Sequence, residues 1–182
     1  MSHPELTGLR DWTVYNSRIV HSNRNFTTIF DFFHTNCPVS NISVRSNPLS
    51  ENWTARQHTT LKLRLENAGN PKIPLYKVPL NELYTKLENM NQLGEVDCRS
   101  EFAIYNENEY GFLNLFVSIR NAFAHGSYQI KTYERERYYC FENRKPPKFK
   151  GGDYYQQEIR SRMVLKESTL LRWIDIIKAG YQ

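Results

Sequence analysis

The spacing of apolar residues predicts a long helix near the start of the chain. From Leu9 to Asn36, apolar side chains recur at steps of three, four and seven residues, which places them on one face of a helix. This helix is expected to end at Cys37-Pro38, because the residue before a proline is pushed out of the helical conformation. Residues 38–58 are rich in serine, asparagine and proline, and we predict a loop there.

The middle of the chain shows two different periods. Leucines alternate with charged residues over residues 61–66, and this period of two predicts a short strand, although leucine, arginine and glutamate also suit a helix. Residues 67–74 form a turn-rich break. A short amphipathic helix is predicted from Leu80 to Asn91, and a second break covers residues 94–100.

A further helix is predicted over about residues 107–125, because its apolar residues form one continuous stripe. Glu107 and Glu109 lie near its predicted start, where the helix dipole favours negative charge. Gly126 follows at the position where a residue in the left-handed conformation commonly ends a helix. The stripe consists of Phe112, Leu115, Phe116, Ile119 and Phe123.

Beyond Gly126, tyrosines are interleaved with basic residues in extended patterns. This indicates two strands joined by a basic loop, a β-hairpin over about residues 128–165. A C-terminal helix is predicted over about residues 168–179, with Ser168 as its N-cap. No repeat or linker interrupts the pattern, so we expect a single domain over residues 1–182. Its predicted class is mainly α, a helical bundle with a small β-hairpin inserted before the C-terminal helix.

Composition narrows the class of protein. A chain of 182 residues with a hydrophobic share of 40% can bury a core without disulfides or a structural metal. Its net charge of +5 fits a polyanionic partner such as RNA. Cys37, Cys98 and Cys140 are far apart, which argues against a disulfide scaffold or a zinc ribbon. Because we find neither an apolar signal region nor a membrane-spanning run, we expect a cytoplasmic protein that does not act at a membrane.

Three polar residues stand among apolar ones at the end of the predicted motif helix. Asn121 and His125 are four residues apart and share one helix face. Arg120 lies off that face, but its side chain is long enough to swing towards it. His125 directly precedes the predicted terminator Gly126, so its ring can turn out of the helix.

These residue types match the requirements of RNA cleavage. The 2′-hydroxyl group must lose a proton to attack the adjacent phosphate, and the departing 5′-oxygen must gain one. Histidine can do either, because its ordinary pKa of about 6.5 lies near working pH. An arginine can stabilise the negative charge of the transition state through its bidentate, permanently charged guanidinium group. An asparagine amide can orient either partner, and this chemistry requires no metal or other cofactor.

A second set of residues is typical of surfaces that bind single-stranded nucleic acid, where aromatic rings stack on bases and basic groups contact phosphates. His21, His34 and His58 are isolated, so we predict no metal site from them. The predicted RNA-binding residues are Lys131, Arg135, Arg137, Tyr139, Arg144, Lys145 and Lys148.

The segment from Arg120 to His125 resembles the Arg-polar-x-x-x-His signature of the HEPN superfamily (higher eukaryotes and prokaryotes nucleotide-binding domains). The glycine and extended segment that follow resemble its bacterial toxin and phage-defence branches. The resemblance implies a HEPN-like helical bundle with metal-independent endoribonuclease activity. It also implies a homodimer in which two motif helices form a composite cleft, and it assigns catalysis to Arg120 and His125, with Asn121 as support.

Other interpretations of the same residues remain open. His125 can act only as a positively charged cap of the helix, with Arg120 paired to a carboxylate and Asn121 solvated. The domain can instead bind RNA or a nucleotide without turnover, or regulate a partner such as a nucleotidyltransferase-type antitoxin. A purely structural dimerisation domain would be favoured if Arg120 and His125 were buried and satisfied within one subunit.

Overall fold

The computed structural model describes residues 23–40, 42, 48–92, 100–145 and 158–181. The first part of the predicted N-terminal helix, most of the predicted break at 94–100 and the predicted RNA-binding residue Lys148 lie outside these ranges.

A five-stranded sheet forms the centre of the described structure, in the order β1-β2-β5-β4-β3. The first two strands are parallel and all other neighbours are antiparallel. The prediction of a mainly α bundle with one small hairpin is therefore wrong, and the chain has a mixed α/β fold. The strands are β1 (Leu75–Val78), β2 (Phe102–Asn106), β3 (Tyr128–Tyr133), β4 (Glu136–Arg144) and β5 (Ile159–Lys166).

The predicted hairpin region contributes three of these strands, not two. A two-residue turn joins β3 to β4 through Glu134 and Arg135, which have φ angles of 47° and 71°. Positive φ at both central residues is the conformation of a type I′ turn, which suits the right-handed twist of paired strands. β5 then pairs with β4 on one side and with β2 on the other, so the hairpin is part of the central sheet.

Helices surround the sheet. They are α1 (Arg24–Phe30), which continues into a π-helical turn (Asp31–Thr35), α2 (Pro48–Asn52), α3 (His58–Glu66), α4 (Leu80–Gln92), α5 (Asn114–Ala124) and α6 (Glu167–Ala179). Short 3-10 turns precede α3 at Ala55–Gln57 and α5 at Gly111–Leu113.

Several sequence predictions are corrected by these bounds. Residues 61–66 belong to α3 and not to a strand, and the predicted loop over 38–58 contains α2 and a 3-10 turn. The motif helix begins later than predicted, because Glu107 follows β2 and pairs with Lys77. Ser168 is not the N-cap of α6, and its hydroxyl group instead bonds to the Glu136 carboxylate.

Other boundaries are confirmed. α4 covers the helix predicted from Leu80 to Asn91, and α6 covers the helix predicted over 168–179. The N-terminal helix ends at Thr35 with Asn36 as its C-cap, immediately before Cys37-Pro38.

The sheet separates two apolar clusters. α4 covers one face through Leu83, Leu87 and Met90. On the other face lies the main core, to which α1, α3, α5 and α6 contribute. α5 packs against β2 and β4 and also against the π-helical turn, so the core holds the helix that carries the candidate site.

Candidate active site

The end of α5 is fixed by the backbone of the residues that follow it. Gly126 has a φ of 65°, its N–H donates to the Phe123 carbonyl at 3.2 Å, and the Ser127 N–H donates to the Ala122 carbonyl at 2.8 Å. These two bonds form a Schellman motif, which a left-handed glycine permits. The predicted role of Gly126 is confirmed. His125 is the exposed last residue before this turn, and its N–H donates to the Asn121 carbonyl at 3.0 Å.

Arg120 and Asn121 interact directly. The Arg120 Nη1 atom donates a hydrogen bond to the Asn121 Oδ1 atom at 3.1 Å, and both side chains are half-buried. The Arg120 Nε atom is buried and has no hydrogen-bond partner among the described residues. No carboxylate in the described ranges forms an ion pair with this arginine. The interpretation in which His125 only caps the helix requires such a pair. The guanidinium group is therefore oriented by Asn121 while keeping donor capacity for a ligand.

The π-helical turn brings a histidine close to α5. The ring of His34 stacks on Phe30 at a centroid distance of 4.5 Å, and Phe30 contacts Phe123 of α5 at 5.2 Å. Burial and the positive charge of Arg120 together lower the pKa of His34. On the sequence alone, His34 was treated as isolated. The only pattern that could have pointed to it is its spacing of four residues from Phe30, which places both side chains on one helix face.

Cys37 lies in the same neighbourhood. Burial raises the pKa of its thiol to about 11, against the opposing effects of a backbone hydrogen bond at Val39 and the Arg120 charge. The thiol is thus protonated near neutral pH and is a poor nucleophile there. We assign it to the core.

Tyr139 is a core residue and not part of an RNA surface. Its side chain is fully buried, and its hydroxyl group donates to the Glu167 Oε2 atom at 2.9 Å. Burial and the neighbouring carboxylate raise the pKa of this tyrosine. Since no face of its ring reaches solvent, the sequence prediction that it stacks on bases is wrong.

Arg144 is also structural. It pairs with Glu142, whose other carboxylate oxygen accepts a bond from Arg162 Nε at 2.8 Å. Burial opposes the ionised form of Glu142, but Arg162 and Arg144 outweigh this effect and hold the pKa of the carboxyl group below its ordinary value. Because Arg144 belongs to this ion cluster, we no longer count it among the predicted RNA-binding residues.

The remaining basic residues do not form one continuous patch. Arg135 is exposed in the turn between β3 and β4, whereas the exposed Lys145 follows the opposite end of β4, about 30 Å away for nine strand residues. Lys131 is paired with Tyr138, and Arg137 with Thr132, so Lys131 and Arg137 lie on opposite faces of the sheet. Arg137 is half-exposed and lies 3.6 Å from Glu167, on the face that also packs against α5.

The described residues contain no group of three or more His, Cys, Asp or Glu side chains placed to hold a metal ion. None of their helices has the length and apolar character that crossing a membrane requires.

Comparisons with protein-family models, with curated proteins and with solved structures give no match to this chain.

Proposed function

We propose that this protein is a metal-independent endoribonuclease that cuts single-stranded or loop RNA. The observation that carries the proposal is the Arg120–Asn121 hydrogen bond, 3.1 Å long, one turn before the exposed His125 on the same helix end. A cationic fork and a histidine at a rigid helix terminus provide the charge stabilisation and proton transfer that phosphodiester cleavage needs.

The reaction is an internal transesterification. A base removes the proton of the 2′-hydroxyl group, the O2′–P bond forms, the P–O5′ bond breaks, and an acid protonates the departing 5′-oxygen. The products are a 2′,3′-cyclic phosphate and a free 5′-hydroxyl group. In this scheme Arg120 holds the phosphate oxygens, Asn121 orients Arg120, and His125 transfers a proton.

The proposal draws on the HEPN-like motif and not on the helical bundle of that superfamily, because a five-stranded sheet stands in the bundle's place. It includes a homodimer with a composite cleft, a cytoplasmic location, and a role as a toxin or anti-phage effector with a cognate antitoxin or nucleotidyltransferase-type partner. Arg135 and Lys131 are the candidate RNA contacts at the turn end of the β3–β4 hairpin.

The interpretation as a purely structural dimerisation domain is not favoured, because the condition stated for it is not met. It required Arg120 and His125 to be buried and satisfied within one subunit, whereas His125 is exposed and the Arg120 Nε atom has no described partner.

The test compares cleavage of a fluorescent single-stranded RNA by the wild type and by His125→Ala, both in EDTA. We expect the variant to lose roughly 100-fold or more in rate, as is usual for loss of a proton-transfer group. His58→Ala, which removes a half-buried histidine of α3, is the matched control and should retain activity. Equal rates for His125→Ala and wild type, or loss of wild-type activity in EDTA, would contradict the mechanism. Tight RNA binding by an inactive wild type would favour the non-catalytic binding module.

A further inference from the structure

The segment that carries His34 departs from α-helical geometry. The Asn36 N–H donates to the Asp31 carbonyl at 2.8 Å, five residues earlier, which is the bond of a π-helical turn. Turns of this kind are rare in proteins, and those that occur are frequently found at functional sites. Here the turn packs directly against α5, the helix of Arg120.

The His34 ring is held in place by packing, but its hydrogen-bonding capacity is not fully used within the described residues. It stacks on Phe30 at 4.5 Å, and Phe30 is fixed in turn by an edge contact with Phe123 at 5.2 Å. The Nδ1 atom is buried and has no hydrogen-bond partner within the described part of the chain. The residue is half-buried, so part of its surface remains open.

Charged groups from two other elements lie around the turn, in addition to Asp31 on the turn itself. Asp31 accepts hydrogen bonds from Asn36, and Lys178 of α6 lies over the ring of Phe32. Cys37 carries a protonated thiol near neutral pH. Burial first, and then the charge of Arg120, lower the pKa of His34, so the imidazole is neutral near pH 7 and is able to accept a proton.

We propose that His34 is the general base of the cleavage reaction, acting on a phosphodiester that Arg120 holds between α5 and the π-helical turn. This inference rests on the proposed endoribonuclease function. His34 takes the proton of the 2′-hydroxyl group as the O2′–P bond forms, and a protonated His125 supplies the proton that the 5′-oxygen gains as the P–O5′ bond breaks. Exchange with water then returns both histidines to their starting forms, so protons and electron pairs balance.

The first experiment measures kcat/KM for RNA cleavage between pH 5 and pH 9 in wild type, His34→Gln and His58→Gln. The wild type should give a bell-shaped profile. His34→Gln should lose 100-fold or more, on the order expected for a general base, together with the acidic limb of the bell. His58→Gln is the matched control, since His58 is also half-buried with a pKa that burial lowers, and it should keep both limbs. Cleavage by His34→Gln with an unchanged profile would overturn the role of His34 while leaving the endoribonuclease proposal intact.

A second readout leaves His34 itself unchanged. The His34 titration is followed by NMR in the free protein, with a 2′-O-methyl RNA that binds but is not cleaved, and in Arg120→Gln. The pKa of His34 should rise in both altered samples, because one adds a phosphate anion and the other removes a positive charge. A His34 signal that does not respond to the bound RNA would overturn the inference. Wild-type protein that does not cleave RNA would overturn the proposed function and the general-base role together.

Discussion

The Tyr139 hydroxyl group donates a hydrogen bond to the Glu167 Oε2 atom at 2.9 Å, while the Asn25 side-chain amide donates to the Oε1 atom of the same carboxylate, also at 2.9 Å. One buried carboxylate therefore ties α1, β4 and the first turn of α6 together. Arg137 lies 3.6 Å from this carboxylate and balances its charge.

Tyr139→Phe should lower the free energy of unfolding by about 1–3 kcal/mol, because it leaves a buried carboxylate oxygen without its donor. RNA affinity and cleavage should not change, since the ring is fully buried. Denaturant unfolding and an RNA-binding titration check the two halves of this prediction. Tyr110→Phe is the control, because Tyr110 is only half-buried. A stable Tyr139→Phe protein with weakened RNA binding would contradict the structural role.

Gly126→Ala should destabilise the protein by about 1–2 kcal/mol, because an L-residue with a Cβ atom is strained at the φ of 65° found there. Gly126→Asn should be milder, since asparagine tolerates the left-handed conformation better. Thermal unfolding of the two variants gives the comparison. RNA cleavage should fall more in the alanine variant, because His125 precedes the strained residue. Equal stability of wild type and Gly126→Ala would show that the turn relaxes freely.

Asn121→Ala should reduce kcat/KM for RNA cleavage by roughly 10- to 100-fold, the effect of losing a hydrogen bond to a charged group. Asn121 is half-buried and contacts Arg120, so the variant should unfold close to the wild-type denaturant concentration. Steady-state kinetics and urea unfolding measured on the same preparation separate the two effects. Full activity in Asn121→Ala would mean that Arg120 is oriented by something else.

Glu142→Gln should destabilise the fold by about 3–5 kcal/mol near pH 7, because it removes the carboxylate that pairs with the buried Arg162 and the largely buried Arg144. The folded-state pKa of Glu142 is depressed by these arginines, so its contribution is complete above the ordinary glutamate pKa of about 4.3 and is lost as the pH falls through the lower folded value. The wild-type free energy of unfolding should therefore decline more steeply below about pH 4.3 than that of the variant. Parallel pH dependences would contradict the depressed pKa.

The sequence predicted helix ends better than it predicted strands. Gly126 and Cys37-Pro38 are local stop signals, and both helices end where these residues require. Over residues 61–66 the alternating leucines suggested a strand, but only Leu61 and Leu65 are buried, while Leu63 is 50% exposed. A spacing of four between buried residues is helical, and an exposed leucine concealed it.

The central sheet was missed in part because β2, which links β1 to the strands of the hairpin region, does not alternate. All five residues of β2 are buried, since helices cover both faces of the sheet there. Short apolar runs of this kind carry no periodic signal that separates a strand from a buried helix. The pairing of β5 between β2 and β4 is a long-range contact that no local pattern encodes.

The candidate site was predicted in part. The polar residues at the end of α5 follow from spacing and from the helix terminator. His34 did not, because it lies 86 positions before Arg120 and meets that helix only through tertiary packing. Tyr139 and Arg144 were assigned to a surface because residue type alone cannot distinguish a basic-aromatic face from a buried ion cluster.

The wider turn at Asp31–Thr35 sets the phase of the helix on its two sides. Before it, Asn25 is anchored to Glu167. Within it, His34 stacks on Phe30 and feels the charge of Arg120 in α5. Removing one residue from the turn would restore ordinary α-helical spacing and rotate the residues after the deletion by about 100° relative to those before it. Asn25 and His34 could then not both keep their present contacts. The length of this segment is therefore constrained more strictly than the identity of its exposed residues.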